Sequence, residues 1–193
     1  MKLARVAALA LVVPVALAAA GTRPQTKWTP FQFKGDERFD YKLLIDDGSG
    51  PRESGFGLDI RKKGDAAYDV TWSIRSTLPK EELNEQALLV GWGGAAPAMA
   101  IMNPMYAMFV TDLELKEGEK MSVFGAGTVK VTGKETVGGR TGYTCQFLQK
   151  DGDKETLVWE WTVDPELALP IKSVTHDGER ETSRAELTAY EKD

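Results

Sequence analysis

Few residues in this chain of 193 could do chemistry by themselves, and each stands alone: His176 is the only histidine and Cys145 the only cysteine. A lone histidine lacks the partners of a zinc site, and neither residue sits in a recognisable nucleophile frame; a Gly-x-Ser-x-Gly elbow is absent. His176 directly precedes Asp177-Gly178, a hairpin signal, so it reads as a solvated turn residue. Cys145 alternates with Tyr143 and Phe147 and reads as a small buried apolar side chain, the alternative being a reactive or intermolecular thiol. The acidic turns Asp46-Asp47-Gly48 and Asp151-Gly152-Asp153 invite calcium, but neither completes a twelve-residue loop ending in glutamate. The glycine-rich pieces Gly91 to Gly94 and Gly125 to Gly127 lack the lysine of a phosphate loop. The expectation is therefore a protein that is not an enzyme, with no metal and no cofactor.

What remains is apolar surface. The stretch Gln86 to Thr111 carries no charged residue, in a chain where 27% of residues are charged. It holds four of the six methionines, Met99, Met102, Met105 and Met108, with Trp92, Ile101, Tyr106, Phe109 and Val110. Methionine fills irregular gaps and repacks around varied apolar ligands. The stretch reads as a buried core plug or as the lining of a ligand cavity. A membrane-inserting segment is disfavoured, because Gly91, Gly93, Gly94, Pro97 and Pro104 interrupt the run.

The elements that must hold this stretch are strands. Phe39, Tyr41, Leu43 and Ile45 alternate with polar residues, as on a half-buried strand. Phe56, Leu58 and Ile60 continue the apolar face, and Tyr68, Val70, Trp72 and Ile74 supply a third strand after the turn at Lys63-Gly64-Asp65. A helix is expected next, capped at Thr77, with Pro79, Glu81 and Glu82 in its first turn and Gly91 at its end. Pro97 to Val110 suits a second helix interrupted at Asn103-Pro104. Methionines three apart drift by about 60° per step round a helix, giving a broad apolar surface suited to burial on more than one side.

From Met121 the chain reads as a long antiparallel meander. Turns fall at Gly138-Gly139, Asp151-Gly152 and Asp177-Gly178, and the strand carrying Leu157, Trp159, Trp161 and Val163 alternates most clearly. Pro170 opens the next strand. Trp72, Trp159 and Trp161 all fall on expected dry faces, either packed solidly or leaving a cleft. The fold class expected is α+β, mainly β: a curved antiparallel sheet, a half-barrel, with a helical insert over its concave apolar face.

Residues 1–20 have the layout of a secretory signal peptide. Lys2 and Arg5 precede an apolar run from Val6 to Leu17, with small residues at Ala18 and Ala20. Residues 21–30 read as a flexible leader that Trp28 and Phe31 could tack onto the domain, and 31–193 as a single domain. Without Lys2 and Arg5 the formal net charge falls from −5 to −7. That balance repels nucleic acid and anionic membrane surfaces. No cysteine stands at the cleavage point for a lipid anchor.

Two local patterns carry a family resemblance. One is Gly133-Lys134-Glu135-Thr136-Val137-Gly138-Gly139-Arg140 leading to Tyr143; the other is Trp161-Thr162-Val163-Asp164 followed by Leu169-Pro170-Ile171-Lys172. Together with the element order they resemble the periplasmic lipoprotein-carrier (LolA-like) half-barrel superfamily and related exported proteins. The resemblance implies a cavity for acyl chains between sheet and helices, lined by Trp72, Trp92, Met99, Met102, Met105, Tyr106, Phe109, Trp159 and Trp161. Gly91, Gly93 and Gly94 read as hinges that would gate it. No residue matches the carrier's lid arginine. The function expected is an exported, periplasmic or secreted protein that is not membrane-spanning and carries a lipid or acyl-chain ligand. The alternative is a structural or assembly subunit of the cell envelope that docks a protein partner.

Overall fold

The computed structural model describes residues 26–193 apart from 47, 49, 65–66, 78–79, 81–95, 111 and 124. The expected signal peptide, the helix expected from Pro79 to Gly91 except Lys80, the glycine hinges and Trp92 lie outside the described residues. Among the described residues nine strands form one antiparallel sheet: β1 (Glu37–Asp46), β2 (Pro51–Lys62), β3 (Tyr68–Ser76), β4 (Lys120–Val123), β5 (Gly127–Val137), β6 (Arg140–Asp151), β7 (Lys154–Val163), β8 (Lys172–Asp177) and β9 (Arg180–Lys192). Their order is β3-β2-β1-β9-β8-β7-β6-β5-β4, a curved sheet that does not close. Two hairpin meanders, β1 to β3 and β4 to β9, are thus joined where the first strand pairs with the last, Leu43 opposite Ala185.

This order places β3 and β4 at opposite edges, so the chain between them has to cross the sheet. The crossing carries α1 (Ala96–Ile101) and α2 (Met105–Val110). Asn103-Pro104 separates them, since a proline bars the preceding residue from helical geometry. The Asn103 side chain then caps α2, its Oδ1 accepting from the Met105 amide at 2.9 Å. The helices seat over different halves of the concave face. Ala98 and Ile101 of α1 join Phe39, Leu43, Leu58, Ile60, Ala185 and Leu187 in one core cluster. Tyr106, Phe109 and Val110 of α2 join Val129, Val131, Cys145, Trp159 and Trp161 in the other. Phe31 packs against both. Within the stretch read as leader, Trp28 is buried, its indole donating to the Leu167 carbonyl at 2.7 Å.

Two expectations are corrected here. The methionines do not form a buried surface: Met99, Met105 and Met108 are exposed, and Ile101, Tyr106, Phe109 and Val110 take the core side. The break at Asn103-Pro104 resets the helical phase, so a spacing of three across it no longer describes one helix. His176 is not a solvated turn residue. It lies within β8, half-buried, with Nε2 buried and without a hydrogen-bond partner, because the turn begins one residue later than the Asp-Gly signal suggests.

Candidate functional site

Most of the aromatic residues expected to line a cavity pack against one another. Tyr106 lies 4.5 Å from Trp159 between ring centroids, Trp159 lies 4.8 Å from Trp161, and Phe109 stacks on Phe147 at 4.9 Å. Such spacings are those of contacting rings in a filled core. Two polar atoms of the group share one partner, Ser173 Oγ, which accepts from Trp159 Nε1 at 2.8 Å and from the Tyr106 hydroxyl at 3.2 Å. Burial pushes the Tyr106 hydroxyl above its ordinary range and the Cys145 thiol up to about 12. Both groups are held neutral, which suits packing and not acid–base work.

A groove of about 590 Å³ opens at the other half of the sheet. Its base is Leu58 and Ile60 on β2. Directly across the ladder, Trp72 pairs with Leu58 and Val70 with Ile60, so β3 presents Tyr68, Val70 and Trp72 as one wall. Phe31, Phe33, Met102 and Leu169 complete the apolar lining, and Gln32 and Lys34 are its polar members.

Hydrogen bonds from two backbone amides hold the segment that runs past the groove. The Phe31 amide donates to the Ala168 carbonyl at 2.7 Å, and the Lys34 amide to Glu37 Oε1 at 2.7 Å. Phe31 takes a φ of 62°, a left-handed conformation that a bulky residue adopts only where its surroundings impose it. Leu169 arrives from the loop after β7, where the Tyr41 hydroxyl donates to the Pro170 carbonyl at 2.9 Å.

Trp72 is 60% exposed, although it sits on the face its alternation assigns to the dry side. Tyr68, Val70 and Ile74 share that exposure. Strand alternation sorts side chains between two faces; whether anything lies on a face is decided elsewhere. Of the nine residues expected at a cavity, the structure brings Trp72 and Met102 to the groove and packs Tyr106, Phe109, Trp159 and Trp161 in the core of the opposite half. Met99 and Met105 are exposed on the helices and are not among the groove's lining. The lining residues Phe31, Phe33 and Leu169 were not expected. Phe31 and Phe33 alternate just after Pro30, and Leu167 and Leu169 alternate between Pro165 and Pro170, both weak signals next to the longer strands.

Among the described residues no helix is long and apolar enough to cross a membrane. No family model matches the chain, and no curated protein is significantly similar to it. A solved structure, that of MucB in complex with MucA(peri), is similar over 80% of this chain and 49% of its own, at 15% identity and a TM-score of 0.40. The chain therefore spans about half the length of the MucB chain.

Proposed function

We propose that this is an exported, non-enzymatic protein that binds or carries an apolar, lipid-like ligand in the groove between β2, β3 and the segment carrying Phe31 and Phe33. One observation carries the proposal: the about 590 Å³ groove is apolar on nearly every side, yet leaves Trp72 and Val70 largely open to water. Its size lies within the range of about 300 to 1,000 Å³ usual for small-molecule sites. An acyl chain entering it removes ligand and protein surface from water together, at about 0.8 kcal/mol per methylene. Lys34, the charged member of the lining, suits an anionic head. Export is supported by the layout of residues 1–20, with residues 21 onward as the working protein.

Native mass spectrometry of protein exported by its own host tests the reading, followed by titration with palmitate. Bound lipid that leaves on delipidation, and affinity for palmitate that drops about tenfold or more in Trp72→Ala and Met102→Ala, are expected. A lipid-free protein that palmitate does not bind would reject it. A protein co-purifying in stoichiometric amount would favour the envelope-scaffold alternative instead.

A further inference from the structure

The outer edge of β3, on which no strand lies among the described residues, points to a second function, pairing with another copy of this chain. Both sheet edges are strands, and they differ in kind. β4 has four residues and opens on a lysine, the sort of short charged edge that resists pairing. β3 has nine residues, no proline and no register shift, and among the described residues it has a strand on one side only.

The ladder fixes which backbone groups face outward. The Lys63 amide donates to the Ala67 carbonyl at 2.8 Å, which makes these two a bonded pair at the end of the β2–β3 hairpin. Bonded and non-bonded pairs alternate in an antiparallel ladder. Asp69, Thr71, Ser73 and Arg75 therefore spend their amides and carbonyls on β2, whereas Tyr68, Val70, Trp72, Ile74 and Ser76 present theirs to the outer edge.

β3 is complementary to itself when two copies run antiparallel about Trp72. In that register Val70 lies opposite Ile74, Thr71 opposite Ser73 and Tyr68 opposite Ser76, so all nine residues are paired. Asp69 lies opposite Arg75, twice by symmetry. The outward-facing groups meet one another, as the ladder requires. Each Asp69 and Arg75 pair falls at a non-bonded position, where opposed side chains approach most closely. Both are well exposed and able to redirect: Arg75 now reaches Asp40 at 2.8 Å and Asp69 reaches Lys63 at 3.4 Å. A two-fold interface demands this kind of self-complementarity, and a strand of arbitrary sequence does not supply it. Pairing would also join the two apolar faces, with the Trp72 side chains meeting at the axis. The inference rests on the edge and its sequence, independently of any ligand.

Sedimentation velocity on the purified protein, up to roughly 100 μM, is the test. A reversible dimer is expected. Asp69→Arg and Arg75→Asp, made singly, place like charges opposite each other twice and should weaken it about tenfold or more. Mixing the two single variants should restore dimer, because each then meets its opposite in the partner, and the double variant D69R/R75D should dimerise like the parent. A parent protein that stays monomeric throughout, single variants that dimerise unchanged, or a mixture that stays monomeric would each overturn the inference.

Discussion

The indole of Trp159 and the hydroxyl of Ser173 meet at 2.8 Å inside the core half that α2 covers, and Tyr106 adds a second donor to the same oxygen. Ser173 is 1% exposed, which shuts bulk solvent out from its place. Ser173→Ala leaves two buried donors without an acceptor, at about 1–3 kcal/mol each if neither relaxes. Urea unfolding should show the midpoint falling with an unchanged m-value. Ser173→Thr, which keeps the hydroxyl, should recover part of the loss.

Cys145 should resist thiol reagents in the folded protein. It is 0% exposed among Val131, Trp161 and their neighbours, and burial raises its pKa from 9.0 to about 12. Iodoacetamide is expected to label it only after unfolding, which intact mass measurement would read. The sign of the pH effect follows. In the window between about 9 and about 12 the unfolded chain has released the thiol proton and the folded chain has not. Stability from this group is therefore complete below about pH 9 and declines as pH rises through the window. Cys145→Ala should flatten part of that decline; Tyr41 and Tyr106, both raised by burial, maintain the remainder.

How much of this was legible beforehand depends on how local the signal is. Phe39, Tyr41 and Leu43 announced their strand because half-burial writes a period of two into neighbouring residues, and Gly138-Gly139, Gly152 and Gly178 marked turns between strands that are adjacent in the chain, the last two turns each falling one residue later than the Asp-Gly pair. The pairing of β1 with β9 left no such mark, since Leu43 and Ala185 meet only through the closure of the whole sheet. The filled and open halves were likewise invisible. Trp159 and Trp72 sit in similar alternating runs, yet one lies under α2 and the other on an edge strand. The methionine spacing misled because it tells how widely the side chains spread and not which side of each helix meets the sheet: Met99 and Met108 face water, while Ile101 and Tyr106 face the core.

Gly138 and Gly139 should respond differently to the same substitution. Both have positive φ, 57° and 76°, so alanine at either costs about 1–2 kcal/mol of backbone strain. At Gly138 a Cβ would also lie 2.4 Å from the Leu187 carbonyl oxygen, whereas at Gly139 nothing lies within 4 Å. The tip of the β5–β6 hairpin thus folds down onto β9 at Gly138. Thermal unfolding should show Gly138→Ala clearly less stable than Gly139→Ala, and equal losses would mean that the hairpin tip does not sit on Leu187.

Lys172 should be destabilising to remove and tolerant of joint replacement with its main partner. Its side chain is 9% exposed, with Nζ at 2.8 and 3.0 Å from the two oxygens of Glu135 and at 3.5 Å from Glu160. The pieces are tied into the sheet, as Thr162 donates to Glu135 at 3.0 Å and Gln146 to Glu160 at 2.8 Å. Lys172→Met removes the cation that bridges these two carboxylates and leaves their charge uncompensated at that point, at roughly 3 kcal/mol or more. Glu135 is 36% exposed, which lets water take up part of its charge and should hold the loss toward the lower end. Lys172→Met with Glu135→Gln removes one charge of each sign. The double variant should therefore be more stable than Lys172→Met alone. A double-mutant cycle by urea unfolding reads the coupling between the two residues directly, and a coupling near zero would show that the contact contributes nothing to stability.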